Sequence, residues 1–244
     1  MLKRSPSLTE KAKTYIKRLI VDNQFEDGRI PSETDLANEL GVSRTTIRDA
    51  LSRLELEGVI YRKQGAGTFI NEAGLQIHTR LEEIWGYEAM LKAHGYTPSV
   101  QVIGVETQPV DAKIGPALNL KPDATILTVQ KLFLADDNPV IVSLNYLPTN
   151  LIEKPYHSDD FRRPVYQFLT DFCQQHLAYY LSEIVPLLAP GWLAEALHLP
   201  HPNTALISFD EVGYNQDNQP IVMAQSYFRD DLLRLRLIRR EAQL

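Results

Sequence analysis

The feature that most constrains the fold of this chain is an approximate repeat in its C-terminal part. Two segments that each follow a run of Asp and Asn or Gln residues resemble each other at an offset of 81 residues, and a second pair matches at an offset of 79. The matched pairs are Pro139-Val140-Ile141-Val142 with Pro220-Ile221-Val222-Met223, and Ala117-Leu118-Asn119-Leu120 with Ala196-Leu197-His198-Leu199. This period is too long for a solenoid. The repeat therefore predicts a pseudo-symmetric α+β domain on an antiparallel sheet.

Each half of the repeat is predicted to contain the same series of elements. The helices are predicted over 81–93 and 165–176, the first strands over 100–105 and 179–185, and a short helix follows each strand. Hairpins are then predicted from 125–134 with 139–146 and from 205–214 with 220–228. The alternative is that two unrelated hairpins share only their turn chemistry.

The N-terminal part, residues 1–71, has the pattern of three short helices and a hairpin. Ser32 and Ser43 are typical N-caps for the second and third helices, and Gly41 lies in the tight turn between them. Two strands are predicted over 59–63 and 68–70, on either side of Gln64-Gly65-Ala66-Gly67, which has the glycines that a turn with positive φ angles needs. Residues 72–80 are polar and lack periodicity, which indicates a linker before a second domain over 81–244.

Two helices joined by a tight turn and followed by a hairpin are the outline of a winged helix-turn-helix. The third predicted helix has an apolar stripe and an opposite face that carries Arg44, Thr45 and Arg48. Arginine at the start of such a helix can donate two hydrogen bonds to a guanine, and Thr45, Thr46 and the helix-start amides suit phosphate oxygens. Arg62, Lys63 and Gln64 flank the glycine turn, which suits entry into a minor groove. The alternative is a small helical domain whose surface arginines pair with neighbouring carboxylates.

The charge of the chain is unevenly distributed between these parts. The formal net charge is −6, which by itself argues against phosphate binding. Residues 1–71, however, carry 12 Lys and Arg against 10 Asp and Glu, whereas residues 72–244 carry 13 against 21. The acid therefore belongs mainly to the second part.

Composition excludes several classes of protein. An apolar fraction of 44% over 244 residues is typical of a globular chain, and no run approaches the length of a membrane span. The basic N-terminus lacks an apolar export signal, so a cytoplasmic location is expected. Cys173 is the only cysteine, which excludes a disulfide framework, and its apolar neighbours predict core packing. His198 and His201 have no third ligand nearby in sequence, so we expect neither a metal site nor a cofactor.

The segment from Ile30 to Ile70 closely resembles the DNA-binding domain of GntR-family bacterial transcription regulators. The similarity includes Pro31-Ser32-Glu33, Gly41-Val42-Ser43-Arg44-Thr45-Thr46 and the Gly67-Thr68-Phe69 wing. It implies base reading by Arg44, wing-tip insertion by Gln64 and Gly65 with Gly67 and Thr68 behind them, and phosphate contacts by Ser32, Thr45, Thr46 and Arg48. Thr34 stands where several family members carry Arg, so the operator is expected to differ from the usual family type.

The C-terminal part resembles the UTRA effector domain of the HutC subfamily, which is related in fold to chorismate lyase. The similarity covers roughly residues 85–235 and includes Gly95-Tyr96-Thr97-Pro98 and Ser226-Tyr227-Phe228-Arg229-Asp230. Members that bind phosphorylated sugars have an Arg-x-Arg pair where this chain has Lys131 and Phe133, and a Glu where it has Ser143. Candidate effector contacts are Lys131, Phe133, Ser143, Tyr166, Glu183 and Tyr227. For Glu183 the alternative is an outward-facing, solvated carboxylate. The missing anchors disfavour a phosphosugar and favour a less charged ligand, with a carboxylate at Lys131 as one option.

The sequence thus predicts a transcription regulator, expected to be a repressor, that binds a palindromic operator as a homodimer and responds to a small-molecule effector held between the two halves of its second domain. A C-terminal domain that only dimerises is one alternative. An enzyme is another, because the related lyase fold performs chemistry. No nucleophile–base pair or Gly-rich phosphate loop supports an enzyme.

Overall fold

The computed structural model describes residues 7–22, 25–75, 80–81, 83–236 and 238. The chain divides into two compact units, one with Met1–His78 and Arg236–Leu244, the other with Thr79–Leu235. The division falls within the predicted linker, of which residues 76–79 lie outside the described residues, as do 1–6 and 239–244 at the ends of the predicted domains.

The first unit is a three-helix core with a two-stranded wing, as predicted. Its elements are α1 (Leu8–Asp22), α2 (Glu33–Leu40), α3 (Arg44–Leu56), β1 (Ile60–Lys63), β2 (Gly67–Ile70) and α4 (Glu72–Leu75). The apolar stripes of the three helices meet in one core, in which Ile16, Leu36, Ile47 and Leu51 are fully buried. The wing strands pair antiparallel, and Arg29 adds an isolated bridge to Phe69.

Local capping explains why α2 and α3 form two separate helices. The Ser32 hydroxyl accepts from the backbone amide of Asp35, whose carboxylate accepts in return from the Ser32 amide. Gly41 ends α2 in the left-handed region, with φ of 63°, where a residue without Cβ is favoured. Ser43 then accepts from the Thr46 amide and begins α3.

The first part of the predicted linker is ordered, contrary to the sequence expectation. Residues 72–75 form α4, and the Asn71 side chain donates to the Gly58 carbonyl at 2.8 Å. A Cβ on Gly74 would lie 1.8 Å from the Gly58 carbonyl oxygen. Gly74, within the predicted linker, is therefore needed for close backbone packing against Gly58.

The second unit is an antiparallel sheet with helices on both faces. Its elements are α5 (Tyr87–Ala93), β3 (Pro98–Pro109), α6 (Ile114–Ala117), β4 (Thr125–Ala135), β5 (Asn138–Pro148), α7 (Val165–Cys173), β6 (Leu177–Leu188), α8 (Gly191–Ala196), β7 (Ala205–Asn215) and β8 (Pro220–Phe228), with two 3₁₀ turns between β5 and α7. The six strands lie in the order β3-β4-β5-β8-β7-β6. The predicted fold class is confirmed.

The sheet order shows the repeat directly, because the strands of the first half run outward from β5 and those of the second half run outward from β8. The central pair aligns Leu144 with Gln225, and Ser143 with Ser226. A two-fold axis through the Leu144/Gln225 pair relates each β5 residue to the β8 residue 81 positions later, which is the offset of the sequence repeat.

The helices divide between the two faces in pairs that the axis relates. Met90 of α5 packs with Phe133 and Phe228, while Phe168 of α7 packs with Val129 on the same face. The short helices α6 and α8 cover the opposite face. Their contacts there are Ile114 with Ile126 and Met223, and Leu193 with Leu132 and Val142.

Several predicted bounds were wrong by a few residues. The helix predicted over 81–93 begins only at Tyr87, because Gly86 is extended, and the helix predicted to 176 ends at Cys173 because Gln174 is left-handed. The edge strands β3 and β6 are longer than predicted. A register shift between Val102 and Gly104 in β3 interrupts the alternation on which the strand prediction depends.

Candidate DNA-binding surface and ligand cavity

The start of α3 carries the candidate base-reading residues on its exposed face. Ile47, Ala50, Leu51 and Leu54 of this helix are buried, whereas Arg44, Thr45 and Arg48 are exposed. Thr46 is half-buried, and its hydroxyl lies 2.8 Å from that of the cap residue Ser43. Thr46 therefore also stabilises the helix start.

The arginines of this surface differ in how they are partnered. Arg48 lies 3.3 Å from the Glu33 carboxylate, and Arg62 lies 3.4 Å from that of Glu55. Arg62 also donates to the Arg48 carbonyl at 3.3 Å, so it joins the wing to α3. Within the described chain, Arg44 forms no ion pair within 4 Å, which leaves its guanidinium available to a base. Arg48 has to leave Glu33 to reach a phosphate.

The wing presents its turn to solvent. Gln64 and Gly65 are exposed at the tip, and Gly65 has a φ of 75°. Gly67 and Thr68 are half-buried, and the Thr68 carbonyl accepts from the Ile30 amide at 3.0 Å. The Ser32 hydroxyl donates to Asp35 at 2.6 Å, so its capping role is the one that the structure describes.

The second unit contains a cavity of about 630 Å³ on the sheet face that α5 and α7 cover. Its floor is formed by the central strands around the pseudo-two-fold axis, including Ser143, Asn145, Ala224 and Ser226. Its volume lies in the range of small-molecule sites.

Four of the six predicted effector residues line this cavity: Lys131, Phe133, Ser143 and Tyr166. Two do not. Tyr227 follows Ser226 on β8 and projects to the opposite face, where its ring lies 6.0 Å from that of Trp192. Glu183 lies between Ser182 and Ile184, which both line the cavity, so strand alternation turns it away. For these two residues the expected cavity contact was wrong.

Lys131 is the basic residue of the cavity. Its side chain is 4% exposed, its Nζ donates to the Arg163 carbonyl at 2.9 Å, and it lies 5.8 Å from the Phe133 ring centre. Burial disfavours the ammonium and lowers the pKa of Lys131 to about 8, with the nearby Glu88 carboxylate opposing the shift. The group is thus mostly protonated at neutral pH, at a cost in folding free energy.

The cavity also contains an acidic residue that the sequence reasoning missed. Glu211 on β7 accepts a hydrogen bond from the Ser182 hydroxyl at 2.5 Å, and burial raises the pKa of its carboxyl above the usual value. The sequence repeat could have identified Glu211, because it aligns this residue with Lys131. Lys131 pairs with Ser143 and Glu211 pairs with Ala224, so the two charged residues occupy equivalent positions in the two halves.

Aromatic side chains at the start of the second unit close the cavity. Trp85 lies 6.2 Å from Phe209, centre to centre, and its indole Nε1 donates to the Arg80 carbonyl at 2.6 Å. Tyr87 makes edge contacts with Phe133 and Phe228, and burial raises the pKa of its phenol. Leu81 and the residues from Glu83 to Glu88, which follow the predicted linker, therefore line one wall of the cavity.

Comparison with known families identifies both units. Residues 8–70 match the family described as bacterial regulatory proteins of the gntR family, and residues 93–234 match the UTRA domain. The chain belongs to the GntR family of transcription regulators and carries a UTRA domain. Members of this family are regulators, and this GntR-family protein is accordingly a DNA-binding transcription regulator and not an enzyme.

Relatives and solved structures agree with this assignment. The regulator is 25% identical to the transcriptional repressor NagR of Bacillus subtilis, over 92% of this chain and 89% of that protein. It is 29% identical to the histidine utilization repressor of Pseudomonas putida, over 75% of this chain and 70% of that protein. The fold is similar to that of YydK, a possible transcriptional regulator from B. subtilis, with a TM-score of 0.78, 15% identity, and coverage of 96% of this chain and all of that one.

Two features that the function of this GntR-family regulator does not require are a membrane span and a metal site. Across the residues with described positions, no helix has the length and apolar character to cross a membrane. In the same residues, no group of three His, Cys, Asp or Glu side chains is arranged to hold a metal. Cys173, the last residue of α7, is fully buried, and burial raises the pKa of its thiol to about 11.

Proposed function

We propose that this cytoplasmic regulator represses transcription from a palindromic operator and that a small molecule in the central cavity changes its operator affinity. The observation that carries the proposal is the cavity itself. It lies at the axis between the two halves, and the segment that follows the linker to the DNA-binding unit forms its wall. A ligand that orders this wall differently would alter how the linker presents the head. Repressors among the relatives support the sign of regulation.

For the DNA contact, we propose that Arg44 reads a base and that Thr45 and Arg48 contact phosphates. Their joint exposure at the start of α3 supports these roles. Ser32 and Thr46 contribute amides and hydroxyls at two helix starts, where an anion is favoured. Gln64 and Gly65 enter the minor groove from the wing tip, with Gly67 and Thr68 shaping the turn.

We propose that the regulator is a homodimer that pairs through β6. This strand lies at one edge of the sheet and exposes large apolar side chains, with Leu181 63%, Ile184 56% and Leu188 62% exposed. An edge strand of this kind is a template for pairing with a second chain. The opposite edge, β3, carries Glu106 and Gln108, and its residues are half-buried or exposed.

Light scattering on Leu181→Arg tests this interface. The variant should be monomeric at concentrations where the parent is a dimer, and it should lose operator affinity because two heads no longer bind together. Ile103→Arg, an apolar residue exposed on β3, is the matched control and should remain dimeric. A dimeric Leu181→Arg protein would contradict the assignment of the interface to β6.

We further propose that the effector is not a phosphorylated sugar. Of the described residues that line the cavity, Lys131 is the one basic side chain, whereas a phosphate with two negative charges is bound best by several donors. Calorimetry with glucosamine 6-phosphate should give no measurable heat of binding at micromolar concentrations. Micromolar affinity would refute this part of the proposal.

A further inference from the structure

The two halves of the sheet place charges of opposite sign at equivalent positions in the cavity. Lys131 on β4 and Glu211 on β7 are related by the pseudo-two-fold axis, and both project to the face that α5 and α7 cover. Two strands, β5 and β8, lie between them. At about 4.8 Å per strand spacing, their backbones are about 14 Å apart across the sheet. The cavity therefore has a basic pole and an acidic pole with room between them.

Neither pole forms an ion pair with another described residue, although Lys131 is buried and Glu211 is half-buried. The described residues form no salt bridge within 4 Å of either Lys131 or Glu211. Lys131 has the Arg163 carbonyl as its hydrogen-bond acceptor, and Glu211 has the Ser182 hydroxyl as its donor. The Glu88 carboxylate acts on Lys131 from beyond ion-pair distance. A buried or half-buried charge whose direct hydrogen-bond partners are neutral is costly, and a ligand group of opposite charge removes that cost.

Carboxylates outnumber ammonium groups in the cavity. Glu88 on α5 and the more exposed Glu83 line it together with Glu211, against one lysine. Tyr87, Tyr180 and Trp85 line the same cavity, and aromatic faces favour a cationic group. A purely anionic ligand would meet this excess of negative charge, and a neutral one would leave both poles unpaired.

From this geometry, we propose that the effector is zwitterionic, with an anionic group at Lys131, a cationic nitrogen at Glu211 and an apolar or aromatic body between them. This assignment rests on the proposed ligand-sensing function and specifies the class of molecule that the cavity takes. It separates this chain from any relative whose cavity is mainly basic.

Saturation-transfer NMR with four probes on one ring tests the proposal at weak affinity. The probes are 4-(aminomethyl)benzoate with both charges, 4-methylbenzoate with the anion, 4-methylbenzylamine with the cation, and neutral 4-methylbenzamide. We expect the zwitterion to bind tightest to the unmodified protein. This comparison of probes needs no variant, so a folding defect cannot obscure it.

Single-residue variants then show which side chain binds each charge of the zwitterion. Glu211→Gln should weaken the zwitterion about tenfold, the effect of losing one charge-assisted contact, and leave 4-methylbenzoate unchanged or tighter. Lys131→Met should weaken both of these probes. Glu106→Gln removes the same charge from exposed β3 and should leave all four unchanged. A change in tryptophan fluorescence on binding that is lost in Trp85→Phe checks that the zwitterion occupies the cavity, because Trp192 lies outside it.

Other outcomes overturn the proposal in distinguishable ways. If 4-methylbenzoate or 4-methylbenzamide binds the unmodified protein at least as tightly as the zwitterion, the ligand class is wrong while ligand sensing can stand. If none of the four probes binds, the zwitterion assignment falls. If, in addition, no metabolite of a broad panel shifts operator binding, the proposed sensing function falls with it.

Discussion

Replacing Lys131 by Met should stabilise the protein even though it removes a predicted ligand contact. The pKa of this lysine is about 8 in the folded chain against an ordinary value of 10.5. A difference of about 2.5 units corresponds to about 3 kcal/mol by which folding disfavours the charged form at neutral pH. Loss of the hydrogen bond to the Arg163 carbonyl offsets about 1–2 kcal/mol. The expected net gain is about 1–2 kcal/mol, or several degrees in Tm for a chain of this size.

The stability advantage of Lys131→Met over the parent should depend on pH in a defined direction. Below pH 8 the lysine is charged in both states, and the full penalty applies. Between pH 8 and 10.5 the unfolded chain binds more protons than the folded one, so the parent gains stability as the pH rises. The advantage of Lys131→Met should therefore shrink across this window. Comparing the two proteins cancels the titration of all other groups.

Thermal unfolding at pH 7, 8, 9 and 10 measures this difference. The exposed Lys121→Met variant is the matched control and should change the Tm little at any pH. A Lys131→Met protein that is less stable than the parent at pH 7 would refute the reasoning. An advantage that does not depend on pH would refute it equally, because it would have to come from packing and not from charge.

Three further predictions concern other parts of the chain. Arg44→Ala should relax base discrimination in competition binding against operator variants, by about 1–3 kcal/mol at the contacted position, with an unchanged melting curve; unchanged discrimination would exclude base reading. Gly74→Ala should lower the free energy of unfolding by more than 1 kcal/mol in denaturant titration, because its Cβ would overlap the Gly58 carbonyl; full stability would contradict the close packing. Cys173 should react with a thiol reagent only as fast as the native protein opens, because it is fully buried and its thiol pKa is raised; rapid reaction of the native protein would contradict this.

The sequence was most informative where local signals and periodicity agree. Ser32, Gly41 and Ser43 mark the ends of α2 and α3, and the structure confirms each of them. The sequence offset of 81 between β5 and β8 predicted the pseudo-symmetric sheet. A two-fold axis between two antiparallel strands relates residues that are all separated by the same number of positions, and for β5 and β8 this number is 81. Both signals depend on residues close in sequence or on a register that repeats.

The candidate cavity was harder to predict, because its members come from five strands and two helices. Lys131 and Ser143 were found through a family resemblance, whereas Glu211 was missed although the repeat aligns it with Lys131. Glu183 was expected in the cavity but lies on the other face of β6. The sequence shows which residues of a strand share a face, but it does not show which of the two faces the helices cover. The same physical reason misplaced Tyr227, which lies one residue beyond Ser226 of the cavity floor.

The central claim is that occupation of the cavity changes operator binding. Footprinting on the DNA upstream of the chain's own coding sequence, repeated with a metabolite panel, tests it most directly. We expect two protected half-sites about 10 bp apart and a metabolite that shifts the midpoint of protection for the parent. The same metabolite should have no effect on Ala224→Phe, which fills the cavity floor. An equal shift in both proteins, or no shift with any metabolite, would contradict the claim.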